Sequence, residues 1–257
     1  VSAGPVALVG GGARGIGAAV AHRLTARGPV VVLDALDGET LGYDHATGAG
    51  AEGLRGHGIE VVAVDLRDPG ATRSAVDDVV ARHGRLDVVV STASVVAGGA
   101  PLWETPVEVR DGLLAADAAT AWNLAAAAVP HLLARPAADR PTVCVTTSVA
   151  GERGLYGLSA YVVAKHAATG VVRALAADLA GTPVTAVGVA PGATDTDMLA
   201  ATARLYGLDD VAALAEHQAS RRPFSPDEVA AVVELACTAG PVVHGAVLPA
   251  DGGFGRA

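Results

Sequence analysis

One tyrosine and one lysine carry the first chemical signal of this 257-residue chain, in the stretch Ser159-Ala160-Tyr161-Val162-Val163-Ala164-Lys165. Lys165 is the sole lysine among 18 basic side chains; every other one is arginine. On a helix, positions i and i+4 share a face, about 5–6 Å apart at Cβ. A phenol ordinarily titrates near pH ~10, and a neighbouring ammonium stabilises the phenolate and lowers that value. Tyr161 then becomes a candidate general acid/base near neutral pH. Arginine is no simple substitute, because its charge is spread over a planar fork rather than held at a point. The spacing is equally met by a Tyr and a Lys that merely share a helix, so the elements that position them must decide.

The chain opens with the apolar run Val6-Ala7-Leu8-Val9, then Gly10-Gly11-Gly12-Ala13-Arg14-Gly15-Ile16-Gly17, then a helical pattern from Ala18. A glycine-rich turn between strand and helix lets the backbone approach a pyrophosphate, and the helix amides receive the anion. The same turn can also form with no ligand. A second buried strand, Val30-Val31-Val32-Leu33, ends at Asp34, 17 residues after Gly17. An acidic side chain there holds the ribose hydroxyls of NAD and repels a 2′-phosphate. Ala35 follows, where an arginine would favour NADP; Arg14, in the first turn, is the one sign to the contrary. NAD is therefore the expected cofactor.

Residues 36–57 are rich in turn formers, with a short helix expected over roughly 49–55. The segment either folds over the adenosine end of a cofactor or is an idle surface loop. Further strands are expected at Ile59–Val64, Leu86–Val90, Thr142–Thr147, Val184–Val189 and Ala246–Leu248. Helices are expected over 70–83, 107–134 with an interruption at most near Asp117, 159–180 and 226–238. Residues 196–220 suggest mobile helices acting as a substrate lid. Alternating strands and helices predict an α/β fold, a single Rossmann-type doubly wound parallel sheet of about seven strands with helices on both faces. With no linker or repeat, one catalytic domain is expected over 1–257.

Composition narrows the partners. A chain 51% hydrophobic can bury a large core, and a net charge of −9 with no basic patch argues against nucleic acid. No uninterrupted apolar run approaches the ~18 residues of a membrane span. The first strand begins by Pro5, so no signal peptide is expected. Cys144 and Cys237 form no disulfide framework, and a reduced, cytoplasmic setting is the expectation. The eight histidines are scattered without metal-ligand spacing, so no metal is expected.

Taken together, the glycine-rich turn, Asp34, Asp65, Ser148, Tyr161, Lys165, Pro191-Gly192 and Asp251-Gly252-Gly253 resemble the short-chain dehydrogenase/reductase family over essentially the whole chain. Ser148 precedes Tyr161 by 13 residues, the family's spacing. Pro101-Leu102-Trp103-Glu104-Thr105, Trp122–Ala127, the Tyr43–Thr47 insertion and Leu205-Tyr206-Gly207-Leu208 further resemble the mycofactocin-associated subfamily, which is thought to hold NAD without exchange while a separate redox carrier reoxidises it. The resemblance implies that Tyr161 passes a proton to or from the substrate oxygen. It implies too that Lys165 tunes Tyr161 and holds the nicotinamide ribose, and that Ser148 hydrogen-bonds the same oxygen. Ser148 could instead be a strand-end serine capping nearby backbone. The cofactor residues implied are Gly11, Arg14, Gly15, Ile16, Gly17, Asp34, Asp65, Leu66, Ala93, Tyr161, Lys165, Pro191, Gly192, Thr194 and Thr196. A homo-oligomer, commonly a tetramer, is also implied.

Four positions depart from the family pattern. Gly10 replaces Thr, which removes a structural hydrogen bond. Ser91-Thr92-Ala93-Ser94 replaces Asn-Asn-Ala-Gly, adding a side chain where glycine allows close approach. Asp117 stands where the fourth catalytic residue is asparagine, and the one asparagine of the chain, Asn123, falls six residues later. Thr194 replaces an aliphatic residue. Asp117 could pair with Lys165 through water, raising the lysine and weakening its hold on Tyr161. Trp103, Leu155, Tyr156, Met198, Leu199, Leu205 and Tyr206 flank the expected site. They either line a pocket for a hydrophobic alcohol or ketone or pack the core. An NAD-dependent alcohol dehydrogenase or ketone reductase is the leading expectation. A biosynthetic isomerase, dehydratase or cyclase of the same fold is the alternative, and a non-catalytic cofactor sensor the third reading.

Overall fold

The computed structural model describes residues 4–36, 41 and 48–254. Among them, seven strands form one parallel sheet in the order β3-β2-β1-β4-β5-β6-β7. The strands are β1 (Ala7–Gly10), β2 (Val30–Asp34), β3 (Glu60–Ala63), β4 (Val88–Ser91), β5 (Thr142–Thr146), β6 (Thr185–Pro191) and β7 (Val247–Ala250). The helices are α1 (Gly15–Leu24), α2 (Gly48–Gly56), α3 (Pro69–His83), α4 (Val107–Leu113), α5 (Thr120–Leu133), α6 (Ser159–Asp178), α7 (Asp197–Leu205) and α8 (Pro226–Thr238).

Side chains alternate across the strands, so neighbours such as Leu8 and Val9 enter opposite cores. Val9, Val32, Val90 and Val187 pack with Val20 and Leu24 of α1 and Ala230 and Val233 of α8. Leu8, Val31 and Val89 pack with Val76 and Val79 of α3 and Leu124 and Leu132 of α5. A sheet covered on both faces needs continuous apolar strands, which is why β1, β2 and β4 read as unbroken Val/Leu runs.

Local signals fix the helix ends. Asp68 caps α3 by accepting from the Gly70 and Ala71 amides, with Pro69 in the first turn. Ser225 and Glu228 form a reciprocal capping box on α8. The helical stretch over 107–134 is interrupted at the expected place: Leu114–Ala119 adopts a wide π turn carrying Asp117. Such turns recur where a side chain must be turned toward a site. By length and composition the path Val107–Leu133 is the one stretch among the described residues apolar and long enough to cross a membrane. Here Leu124, Ala125, Ala128 and Leu132 bury into the sheet. The expected insertion Tyr43–Thr47 lies outside the described residues.

Candidate active site

The chain runs from β1 outward to β3, then returns to place β4 on the other side of β1. At this reversal the C-terminal ends of β1 and β4 splay their loops apart, the usual place for a ligand crevice in such sheets. A cleft of about 400 Å³ opens there, bordered by Gly11, Arg14, Gly15, Ile16 and Gly17 of the turn, by Asp34 and Ala35, and by Asp65, Leu66 and Ala93.

The turn is shaped by close backbone approach. Gly11 has φ +75°, and a Cβ there would lie 2.3 Å from the Ala93 amide nitrogen. A Cβ on Gly17 would lie 2.3 Å from the Gly11 carbonyl oxygen. These glycines hold β1, α1 and the β4 loop at contact distance and leave backbone facing the cleft, a cradle that fits a pyrophosphate. Gly10 has no room for threonine without rearrangement: a Cβ would meet Leu124 Cδ2 at 2.7 Å and Leu66 Cδ1 at 2.9 Å. The expected gap in hydrogen bonding is filled from the opposite strand. The Thr92 hydroxyl reaches the carbonyls of Gly10 at 2.8 Å and Gly11 at 2.9 Å, tying β4 to the turn.

The Asp34 carboxylate is held beside the cleft by the Ala13 amide, which donates to Oδ2 at 2.7 Å. Asp65 is gripped by Arg67, whose Nη2 donates to Oδ2 at 2.7 Å. The Leu66 carbonyl accepts from Asn123 Nδ2 at 2.9 Å. Asn123 thus braces the β3–α3 loop against α5; it plays no part in the Lys165 cluster. Arg14 Nη1 lies 3.9 Å from Asp197 Oδ2 at the start of α7.

Pro191 ends β6 opposite Ala250, and a Cβ on Gly192 would sit 2.3 Å from Gln218 Oε1. Buried Thr194 donates from Oγ1 to the Gly192 carbonyl at 3.1 Å. These three do not border the cleft; they form the turn that delivers Thr196 to it. Thr196 borders the cleft and caps α7, accepting from the Leu199 amide at 3.3 Å.

Beside the cleft, four groups meet in the interior. Tyr161 and Lys165 on α6 and Asp117 on the π turn are buried, and so is Ser148, just beyond β5. Lys165 Nζ sits 5.6 Å from the centre of the Tyr161 ring and 3.3 Å from Asp117 Oδ2. Asp117 Oδ1 accepts from the Val95 amide at 3.0 Å. The Asp117–Lys165 contact is therefore direct, not through water as the sequence suggests. Ser148 Oγ accepts from the Ala150 amide at 3.1 Å and also reaches the Tyr161 hydroxyl. It is at once a backbone cap and a partner of the phenol. Met198 Sδ lies 4.0 Å from the Tyr161 hydroxyl, so α7 covers the phenol in this conformation.

The electrostatics correct one expectation. Burial pushes the Tyr161 phenol up; the Lys165 charge pulls it down, Asp117 pushes it up again, and bonds from Ser148 and Ser94 lower it. The net result is a phenol above its ordinary value of 10.0, not below it. Lys165 is lowered by burial but raised more by Asp117 and Tyr161, and ends above its ordinary value. Burial also raises Asp117, against the Lys165 charge and the bonds from Val95 and Ser94.

The substrate-side candidates divide. Leu155, Met198, Leu205 and Tyr206 pack in the apolar cluster that contains Tyr161, and Leu199 is buried. Trp103 and Tyr156 are 81% and 86% exposed and do not border the cleft. The Tyr206 hydroxyl donates to the Tyr156 carbonyl at 2.5 Å. Ser94 and Val95 also border the cleft, where spacing alone gives them no role; the departure from Asn-Asn-Ala-Gly at Ser94 is the signal that could have found them.

A dinucleotide cradle at the strand reversal beside a buried Ser-Tyr-Lys cluster defines a pyridine-nucleotide oxidoreductase. The sequence profile of the family described as enoyl-(acyl carrier protein) reductase matches residues 11–255. The cis-4-hydroxycyclohexanecarboxylate dehydrogenase of Sinomonas cyclohexanicum is 33% identical over 254 residues, covering 97% of this chain and 96% of the relative. The 1-deoxy-11-beta-hydroxypentalenate dehydrogenase of Streptomyces avermitilis is 37% identical, covering 75% of this chain and 69% of that one. The structure of carveol dehydrogenase from Mycobacterium avium in complex with NAD superposes with a TM-score of 0.89 at 29% identity, covering 98% of each chain. The chain belongs to the short-chain dehydrogenase/reductase family, and it is an enzyme of the alcohol dehydrogenase and ketoreductase class.

Proposed function

We propose that this enzyme uses NAD to interconvert a hydrophobic, cyclic secondary alcohol and its ketone, with Tyr161 as general acid/base. The observation that carries the reading is the meeting of Ser148, Tyr161 and Lys165 in the interior beside a cleft rimmed by the glycine turn and Asp34. Dehydrogenases of ring alcohols among the relatives support the substrate class. When bound, the nicotinamide supplies or accepts the hydride. The residues proposed to hold the cofactor are those of the turn, with Asp34 on the adenosine ribose and Lys165 on the nicotinamide ribose. Ile16, Asp65, Leu66, Ala93 and Thr196 line the same cleft, and Pro191, Gly192 and Thr194 shape the turn behind it.

The chain's own residues handle the proton. Tyr161 gives its hydroxyl proton to the carbonyl oxygen in reduction and takes it back in oxidation. Ser148 donates a hydrogen bond to the same oxygen and stabilises the charge that develops on it. Met198 must move from the phenol before a substrate can reach it, which supports a lid over residues 196–220. The apolar cluster around Tyr161, with Leu155, Leu205 and Tyr206 packed against it, favours a hydrophobic substrate.

Two finer readings belong with this one. Membership of the mycofactocin-associated subfamily is supported by Leu41, which borders the cleft and faces Gly112 of α4. The resemblance implies NAD held without exchange, so dialysis that strips NAD freely would contradict it. A homotetramer is supported by exposed apolar side chains on the adjacent helices α5 and α6, Trp122 and Val163. A monomer in light scattering would contradict that.

The test is to supply purified protein with NAD or NADP and a panel of cyclic secondary alcohols and ketones, following absorbance of the reduced nicotinamide. Turnover with NAD and a ring alcohol is expected. Product formation without net cofactor change would overturn the reading in favour of an isomerase or dehydratase.

A further inference from the structure

Two positions that depart from the family pattern, Ser94 and Asp117, meet at the Tyr161–Lys165 pair. The Asp117 side chain is wholly buried and gripped on both oxygens, by the Val95 amide at 3.0 Å and Lys165 Nζ at 3.3 Å. The buried Ser94 hydroxyl lies against both the Asp117 carboxylate and the Tyr161 phenol. The phenol, whose ring centre is 5.6 Å from that ammonium, is raised first by its burial; the Lys165 charge pulls it down, and the Asp117 carboxylate in contact with Lys165 offsets part of that pull.

Among the described residues, no other charge on the packed elements compensates. The turn Val149–Gly151, β6 and α7's Met198 contribute no ionisable side chain at this point. Cys144 of β5 is turned to Cys237 on the α8 side. On α4, Glu108, Arg110 and Asp111 are exposed, and Arg110 and Asp111 bind each other. On α5, His131 is taken by Asp77 of α3.

We propose that Asp117, acting through Lys165 and Ser94, is a positioning residue that keeps Tyr161 protonated in the resting site, so that carbonyl reduction runs through the neutral range while alcohol oxidation awaits higher pH. The proposal rests on Tyr161 being the acid/base of the reaction proposed above. In reduction the phenol O–H bond breaks, its proton forms the new O–H of the alcohol, and the carbonyl carbon takes the hydride. The phenolate left behind shares one ammonium with a carboxylate, which favours its prompt reprotonation from water.

The chain has four tyrosines. Labelling them with ¹³C at the hydroxyl-bearing carbon gives NMR signals that report ionisation in the cofactor-free protein, and Tyr161→Phe identifies the signal of interest. The wild-type Tyr161 signal is expected to stay in its protonated position past the ordinary phenol range near pH ~10. In Asp117→Asn the midpoint should fall by about one pH unit, tenfold more phenolate at a given pH. A wild-type midpoint below the ordinary range, or an unchanged midpoint in Asp117→Asn, would overturn the proposal. If Asp117→Asn does not fold, Asp117→Ser takes its place in the same titration, with the same fall expected and an unchanged midpoint again overturning the proposal. In the holoenzyme oxidising cyclohexanol, the rising limb of kcat/KM against pH should move down by the same unit in Asp117→Asn. The titration needs neither cofactor nor substrate, so it tells failure of this proposal apart from failure of the alcohol-oxidation reading.

Discussion

In the proposed reading, Asp34 is the residue on which cofactor choice turns. Its carboxylate is fixed by the Ala13 amide at 2.7 Å, at the end of β2 where the adenosine ribose would lie. A carboxylate there repels a 2′-phosphate and accepts from ribose hydroxyls. Asp34→Ala is predicted to weaken NAD binding about tenfold and to narrow or reverse the preference over NADP. Dissociation constants for both nucleotides decide it, and wild-type protein that binds NADP more tightly would contradict the assignment. The residues of the candidate site are largely legible in the sequence, because Ser148, Tyr161 and Lys165 sit at fixed spacings along a strand end and one helix. The acidity of Tyr161 is not legible. It depends on Asp117 reaching Lys165 from another segment 48 positions away, and spacing gives no sign of whether that contact is direct.

At the scale of elements, the strand–turn–helix unit at residues 7–24 makes the cradle. Gly11 needs both a positive φ of +75° and the absence of a Cβ, which would fall 2.3 Å from the Ala93 nitrogen. Gly11→Ala is therefore predicted to destabilise the fold by at least about 1–3 kcal/mol and to abolish nucleotide binding. Urea unfolding and a nucleotide titration would measure both; near-wild-type values in each would contradict the close-approach argument. The parallel strands are readable because burial on both faces demands continuous Val and Leu. Of the π turn at Leu114–Ala119, the sequence shows the place of an interruption near Asp117 but not its geometry, since the surrounding stretch is Ala-rich. What marks it is tertiary: the bonds that Asp117 makes to Val95 and Lys165.

Across the whole molecule, the two ends of the sheet do different work. At the end away from the cleft, Asp87 accepts from the Val6 amide at 2.8 Å and is paired with Arg85 and Arg135. Burial would raise the Asp87 carboxyl, but the bonds from Arg85 and Val6 and the two arginine charges outweigh it and hold it below its ordinary 3.8. A carboxyl lowered on folding stabilises the protein above its unfolded value, and that stabilisation disappears as pH falls through the lower folded one. Asp87→Asn is predicted to cost about 1–3 kcal/mol at neutral pH, because the partly buried Arg85 and Arg135 lose a buried carboxylate partner and keep only Asp139. The deficit relative to wild type should shrink as pH falls below 3.8, and a deficit independent of pH in denaturant unfolding would contradict the assignment. At the cleft end the proposed chemistry rests on a buried phenol beside an ammonium. The most direct measurement is single-turnover hydride transfer by Tyr161→Phe with a ring alcohol that wild type oxidises, alongside NAD affinity. The rate should fall about 10²–10⁴-fold, the usual contribution of a positioned acid/base, with NAD affinity preserved. A variant that transfers hydride at the wild-type rate would contradict the account.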